Sequence, residues 1–114
     1  MISRSETEIA VIAQFTAKEG KADELLAALH HAIGLGLNEP GCRRLILYQN
    51  AEDPRICTVI EKFADQEAFQ AHLAASYTVD LLQNIIPLLT QAQSITTHKE
   101  VRVPDSRTIA KKRQ

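Results

Sequence analysis

CRRLILYQNAEDPRICTVIEKF, residues Cys42 to Phe63, is the stretch that decides the architecture. Its first eight and last eight residues, Cys42–Gln49 and Ile56–Phe63, are rich in aliphatic and β-branched side chains, which fit a pleated, half-buried surface. Between them, Asn50-Ala51-Glu52-Asp53-Pro54-Arg55 is turn chemistry of hairpin length, with proline presetting φ and Asn and Asp able to bond their own backbone. The stretch reads as two antiparallel strands with a tight connection.

Upstream, Ile9, Val11, Ala13 and Phe15 alternate with Glu8, Ala10, Ile12 and Gln14, and a period of two means a strand over Glu8 to Phe15. After Lys18-Glu19-Gly20-Lys21 the period changes. Ala22, Leu25, Leu26, Leu29, Ala32, Ile33, Gly36 and Leu37 recur at three- and four-residue steps, which predicts an amphipathic helix of about five turns reaching Asn38. Gly34 and Gly36 each weaken its end by about 1 kcal/mol, and Asn38-Glu39-Pro40-Gly41 is a stop signal.

Downstream, Asp65 is placed to cap a second helix carrying Ala68, Phe69, His72 and Leu73 on one face. Ser76-Tyr77-Thr78 reads as a break, with Thr78 recapping a further helix whose apolar positions are Val79, Leu82, Ile85, Ile86 and Leu89. Pro87 disturbs its end. A last strand is expected over Ser94 to Val103. The order strand, helix, strand, strand, helix, strand is the ferredoxin-like βαββαβ plan, an α+β fold in which helices cover one face of a four-stranded antiparallel sheet. The strands are apolar on both faces, since Ala10 and Ile12 oppose Val11 and Ala13, and Ile46 and Ile60 oppose Leu45, Leu47 and Val59. The second face needs a cover, and a second copy of the same sheet is the economical one.

A chain of 114 residues is one domain, able to bury roughly 65% of its unfolded surface. The expected division is an N-terminal arm at 1–7, the domain at 8–103, and a mobile basic tail at 104–114 with Arg107, Lys111, Lys112 and Arg113. Thirteen Lys+Arg against 14 Asp+Glu leave no charge excess that would point to nucleic acid or an anionic membrane. Met1 to Glu6 lacks an apolar signal core, and Leu81 to Leu89 is interrupted by Gln83, Asn84 and Pro87, so a cytoplasmic protein is expected. Cys42 and Cys57 are too few for a zinc cluster, and free buried thiols are expected. His30 and His31 project about 100° apart on a helix and cannot form a four-residue metal pair, and His98 stands alone. No phosphate loop, dinucleotide fingerprint or nucleophile elbow is present, and no metal or cofactor is expected.

Pro40-Gly41-Cys42 opening a strand, Asp53-Pro54 in the hairpin, and Glu61-Lys62-Phe63-Ala64-Asp65 followed by Ala68, His72-Leu73 and Ser76 form an ordered pattern. It resembles the antibiotic biosynthesis monooxygenase domain family, including its quinol monooxygenases, over about residues 8 to 103. The resemblance implies a dimeric α+β barrel with a pocket between the sheet and the helices of each subunit. The family's usual Trp is Phe63 here, which keeps an apolar wall but removes the indole N–H donor. The haem-degrading relatives use Asn, Trp and His together, and a chain with no Trp does not carry that triad.

Against that frame His72 is the leading candidate for chemistry, because the helical period sets it beside Phe69 and Leu73 rather than among exposed polar positions. It reads either as a general base for an acidic phenol or quinol or as a hydrogen-bonded core histidine. Glu61, flanked by Val59 and Phe63 on one strand face, needs a partner. That partner is either His72, whose tautomer it would then fix, or Arg43 or Arg44 across a dimer interface. Phe63 and Phe69 serve as core or as substrate platform, Tyr77 stands where a pocket mouth is expected, and the face taken by Tyr48 depends on hairpin register. Three functions follow: a cofactor-free monooxygenase acting on a quinol or similar electron-rich aromatic with molecular oxygen, an isomerase or epimerase acting on a small oxygenated metabolite, or a non-catalytic dimer binding a small hydrophobic ligand.

Overall fold

The computed structural model describes residues 3–104, so the basic tail expected from residue 104 onward lies, apart from Pro104, outside the described residues. The elements run β1 (Ser3–Arg4), β2 (Ile9–Thr16), α1 (Ala22–Gly36), β3 (Cys42–Gln49), β4 (Ile56–Phe63), α2 (Gln66–Ala74), α3 (Ser76–Ile85), a 3₁₀ turn (Ile86–Leu88), β5 (Ser94–His98) and β6 (Val101–Arg102). The four long strands form one antiparallel sheet in the order β3-β4-β2-β5, which is the ferredoxin-like α+β arrangement. β1 and β6 pair separately as a short antiparallel ribbon.

Alternation sorts each strand into two faces. Ile9, Val11, Ala13 and Phe15 of β2 and Cys57, Val59, Glu61 and Phe63 of β4 are all buried on the inner face, where α1, α2 and α3 pack. Leu25 and Leu29 of α1, Phe69 of α2 and Ile85 of α3 complete that core. The outer face presents Ile46, Ile60, Ile12 and Thr96 in one row across all four strands. Ile12 is 38% exposed, and Tyr48 falls on this outer face, 54% exposed.

Three boundaries differ from the sequence expectation. α1 stops at Gly36, two residues early, because the amides of Asn38 and Glu39 bond back three residues to Leu35 O and Gly36 O, tightening the end into a turn. The break between α2 and α3 falls at Ala75, whose extended ψ of 137° interrupts the helix, so Thr78 lies inside the first turn of α3 rather than capping it. The last strand divides into β5 and β6, with Lys99 and Glu100 between them. Asp65 does cap α2, accepting a hydrogen bond from the Ala68 amide at 2.8 Å.

Candidate functional site

Three segments far apart in the chain converge on the inner face. The turn after α1 brings Glu39, β4 brings Glu61 between Leu45 and Val11, and the α2–α3 pair brings His72 and Tyr77. Two glycines permit this approach. A Cβ at Gly41 would stand 2.3 Å from Ala68 Cβ, so any side chain there would drive α2 off the sheet. A Cβ at Gly36 would stand 2.7 Å from Leu45 Cδ1, 3.5 Å from His72 Cε1 and 3.6 Å from Glu39 Oε2. Gly36 is therefore a steric requirement of the site, whereas Gly34 faces open space and only weakens the helix.

The carboxylate hydrogen-bonded to the imidazole is Glu39, not Glu61. His72 Nδ1 lies 2.8 Å from Glu39 Oε2, and the Tyr77 hydroxyl donates to the same oxygen. With Glu39 accepting from both, the imidazole carries its proton on Nδ1 and presents the lone pair of Nε2. Nε2 faces Glu61 Oε1 at 3.5 Å, too long for a well-formed hydrogen bond. Neither Arg43 nor Arg44 approaches Glu61 on this face; Arg43 pairs with Glu8 at 2.6 Å. Burial pushes the Glu61 carboxyl up to about 7; the positive charge that His72 can carry opposes the rise, and the charge of Glu39 adds to it. The Phe63 ring packs on the imidazole with centroids 5.0 Å apart, and on Phe69 at 5.5 Å.

Beside this array lies a cavity of about 60 Å³. Its polar lining is confined to Glu61, His72 and Thr78, and the remainder is apolar, including Phe15, Phe69 and Leu73. Of the sequence candidates, His72, Glu61 and Phe69 face this space. Phe63 lies beneath the imidazole as a fully buried support, and Tyr77 reaches Glu39 instead of the cavity. Sequence reasoning missed Glu39, which it read only as part of a helix stop, and the pocket position of Thr78. His30 and His31 are exposed on α1, and His98 sits exposed with its Nε2 2.8 Å from Thr96 Oγ1. Cys42 and Cys57 are free thiols at opposite ends of the hairpin register, and burial raises both above the usual thiol range.

The fold recurs widely among solved structures. A crystallised protein from Shewanella oneidensis is 31% identical, with a TM-score of 0.85, over 90% of this chain and 100% of that one. One from Mycobacterium tuberculosis is 25% identical, with a TM-score of 0.75, over 87% of this chain and 96% of the other. A structure described as an antibiotic biosynthesis monooxygenase is also 25% identical, with a TM-score of 0.77, over 84% of this chain and 99% of that one. A search of curated proteins gave no significant match. The antibiotic biosynthesis monooxygenase family matches residues 8–82, from the residue preceding β2 through the part of α3 that lines the cavity. By that match, which spans more than half of its length, the chain belongs to the antibiotic biosynthesis monooxygenase family.

Proposed function

We propose that the protein is a cofactor-independent monooxygenase of a quinol or similar electron-rich aromatic. The observation that carries this reading is the His72 imidazole, oriented by Glu39 through Nδ1 and presenting Nε2 to an apolar cavity. Nε2 takes the proton of a substrate hydroxyl, and the resulting anion passes an electron to dioxygen itself. Quinol plus dioxygen gives hydroxyquinone plus water, so the substrate supplies every electron and no external reductant is needed. Glu61, titrating near neutrality next to Nε2, receives and returns the proton in transit. The apolar walls keep water from the anion.

At about 60 Å³ the cavity is smaller than the ~150 Å³ that takes up a benzene ring, so an aromatic substrate enters as the half-buried Leu73, Leu81 and Leu82 give way. The test is oxygen consumption above autoxidation by metal- and flavin-free protein, on hydroquinone, naphthohydroquinones and hydroxyanthrones. A rate that never exceeds autoxidation on any of them rejects the reading. A second reading, proton transfer on a small oxygenated metabolite, is favoured by the acid of Glu61 lying against the base of His72. Turnover without oxygen uptake distinguishes it.

The assembly we propose is a homodimer joined through outer sheet faces, with no nucleic acid or membrane partner, acting in the cytoplasm. No helix among the described residues is long and apolar enough to cross a membrane. The Ile46–Ile60–Ile12 row supports a second copy as the cover of this face. Ile12→Asp is expected to shift the protein to monomer or aggregate, because an unpaired carboxylate in a buried apolar interface is strongly unfavourable. Sedimentation at micromolar concentration checks it. A wild-type protein that sediments as monomer overturns the dimer.

A further inference from the structure

Tyr77 is the second residue of α3, and the extended backbone at Ala75 separates it from the helix that carries His72. Its hydroxyl donates to Glu39 Oε2, the same oxygen that lies 2.8 Å from His72 Nδ1. The Tyr77 ring stands edge-on to the imidazole, with centroids 6.4 Å apart and an interplanar angle of 67°, and does not line the cavity. The phenol hydroxyl therefore reaches the base only through Glu39. The Glu39 and His72 side chains are 19% and 13% exposed, so water screens little of the interaction between them. A base needs its imidazole neutral, because protonation occupies the lone pair at Nε2. The surroundings pull the other way: Glu39 lies at one ring nitrogen and Glu61, 3.5 Å away, at the other, and a carboxylate beside an imidazole favours the charged ring. Cys42 of β3 also lies close enough to both carboxylates for their charge to add to burial in raising its thiol, which stays protonated at neutral pH.

We infer that Tyr77 is a positioning residue that acts through Glu39: by sharing Oε2 it limits how strongly Glu39 stabilises the imidazolium, and so sets the basicity of His72. This rests on the reading of His72 as the base and adds to it the group that tunes that base. Removing the phenol hydroxyl leaves Oε2 to the Nδ1 proton alone, which favours the charged ring. A more acidic phenol draws more of the carboxylate's charge and favours the neutral ring.

The test is an NMR titration of the imidazole C2 protons in wild type, Tyr77→Phe, Glu39→Gln and a protein whose two tyrosines are replaced by 3-fluorotyrosine. The His72 signal is identified among those of the four histidines by its loss in His72→Ala. A parallel set carries Glu61→Gln, so that the neighbouring carboxyl, raised by burial to about 7, does not titrate alongside. Tyr77→Phe keeps the edge-on ring and is expected to move the His72 midpoint upward by about 0.7 pH unit, the equivalent of one net hydrogen bond. Glu39→Gln is expected to move it downward by about one unit or more. 3-Fluorotyrosine, with the more acidic hydroxyl, is expected to move it downward too; Tyr48, the other tyrosine, is exposed on the outer face of the sheet. The pH dependence of kcat/KM for oxygen consumption is expected to shift with the NMR midpoint. A midpoint in Tyr77→Phe that equals the wild-type value or falls below it overturns the inference, whatever the melting temperature, and leaves Tyr77 a tether between α3 and the turn after α1. Should Tyr77→Phe not fold, an unshifted midpoint in the fluorotyrosine protein overturns it. If the NMR midpoint shifts as expected while the pH profile of turnover does not follow, the tuning by Tyr77 stands and the assignment of His72 as the base fails.

Discussion

His72→Ala is expected to lower turnover by ~10²–10⁴-fold, the usual consequence of removing a positioned acid–base group. The fold should survive. Glu39 keeps its bond from the Tyr77 hydroxyl, and Phe63, which supports the imidazole, is anchored independently in the core against Phe69. The substitution enlarges an existing cavity and removes the imidazole charge that opposes the raised Glu61 carboxyl, so that carboxyl is held protonated instead of being stranded as a buried charge. Oxygen consumption by the purified variant, with circular dichroism as the check on folding, measures the effect. A folded His72→Ala protein that consumes oxygen at the wild-type rate removes His72 from the role of base.

Glu61→Gln is expected to make the protein more stable at pH 8 by about 3 kcal/mol, and to change stability little at pH 4. The sign follows from the raised carboxyl. Burial lifts Glu61 from 4.5 to about 7, so between these values the folded state holds a proton that the unfolded chain has released. Stability from this group is therefore fully present below pH 4.5 and is lost as pH rises through 7. Glutamine occupies the same space without a charge to desolvate, so its curve should lack that decline. Urea unfolding of both proteins at pH 4, 6 and 8 reads it. A difference between the two that stays constant across this range would mean that Glu61 titrates as an ordinary exposed carboxylate.

The elements that carried strong local signals were legible in the sequence. Alternation placed β2, and aliphatic and β-branched composition around a turn placed β3 and β4, within a residue of their observed bounds, and Asp65 announced α2 because a carboxylate before a helical period has one common use. Boundaries set by tertiary contact were not legible. Ala75 breaks a helix with no proline or glycine to mark it, and α1 closes early where Gly36 must pass under Leu45. Within the site, His72 and Glu61 were found because polar residues on apolar faces stand out. Glu39 was not, since a carboxylate in a helix-ending turn is ordinary until α2 and α3 fold over it. Thr78 was missed for a related reason: threonine near a helix start suggests a cap, and only the packed structure shows its hydroxyl without a partner.

In β4, Glu61 shares the inner face with Cys57, Val59 and Phe63, while Ile60 and Lys62 look outward. A slip of one residue against β2 or β3 would turn Glu61 out and force Lys62 into the core. Chemistry and hydrophobic burial are thus proofread together: a misregistered molecule forfeits the Glu61–His72 juxtaposition in the same event that exposes its phenylalanine. Partly misfolded chains cannot linger as weakly active species. In any preparation, counting competent sites by single-turnover titration would then count correctly folded molecules, and heterogeneity would show as a reduced number of sites with an unaltered rate per site.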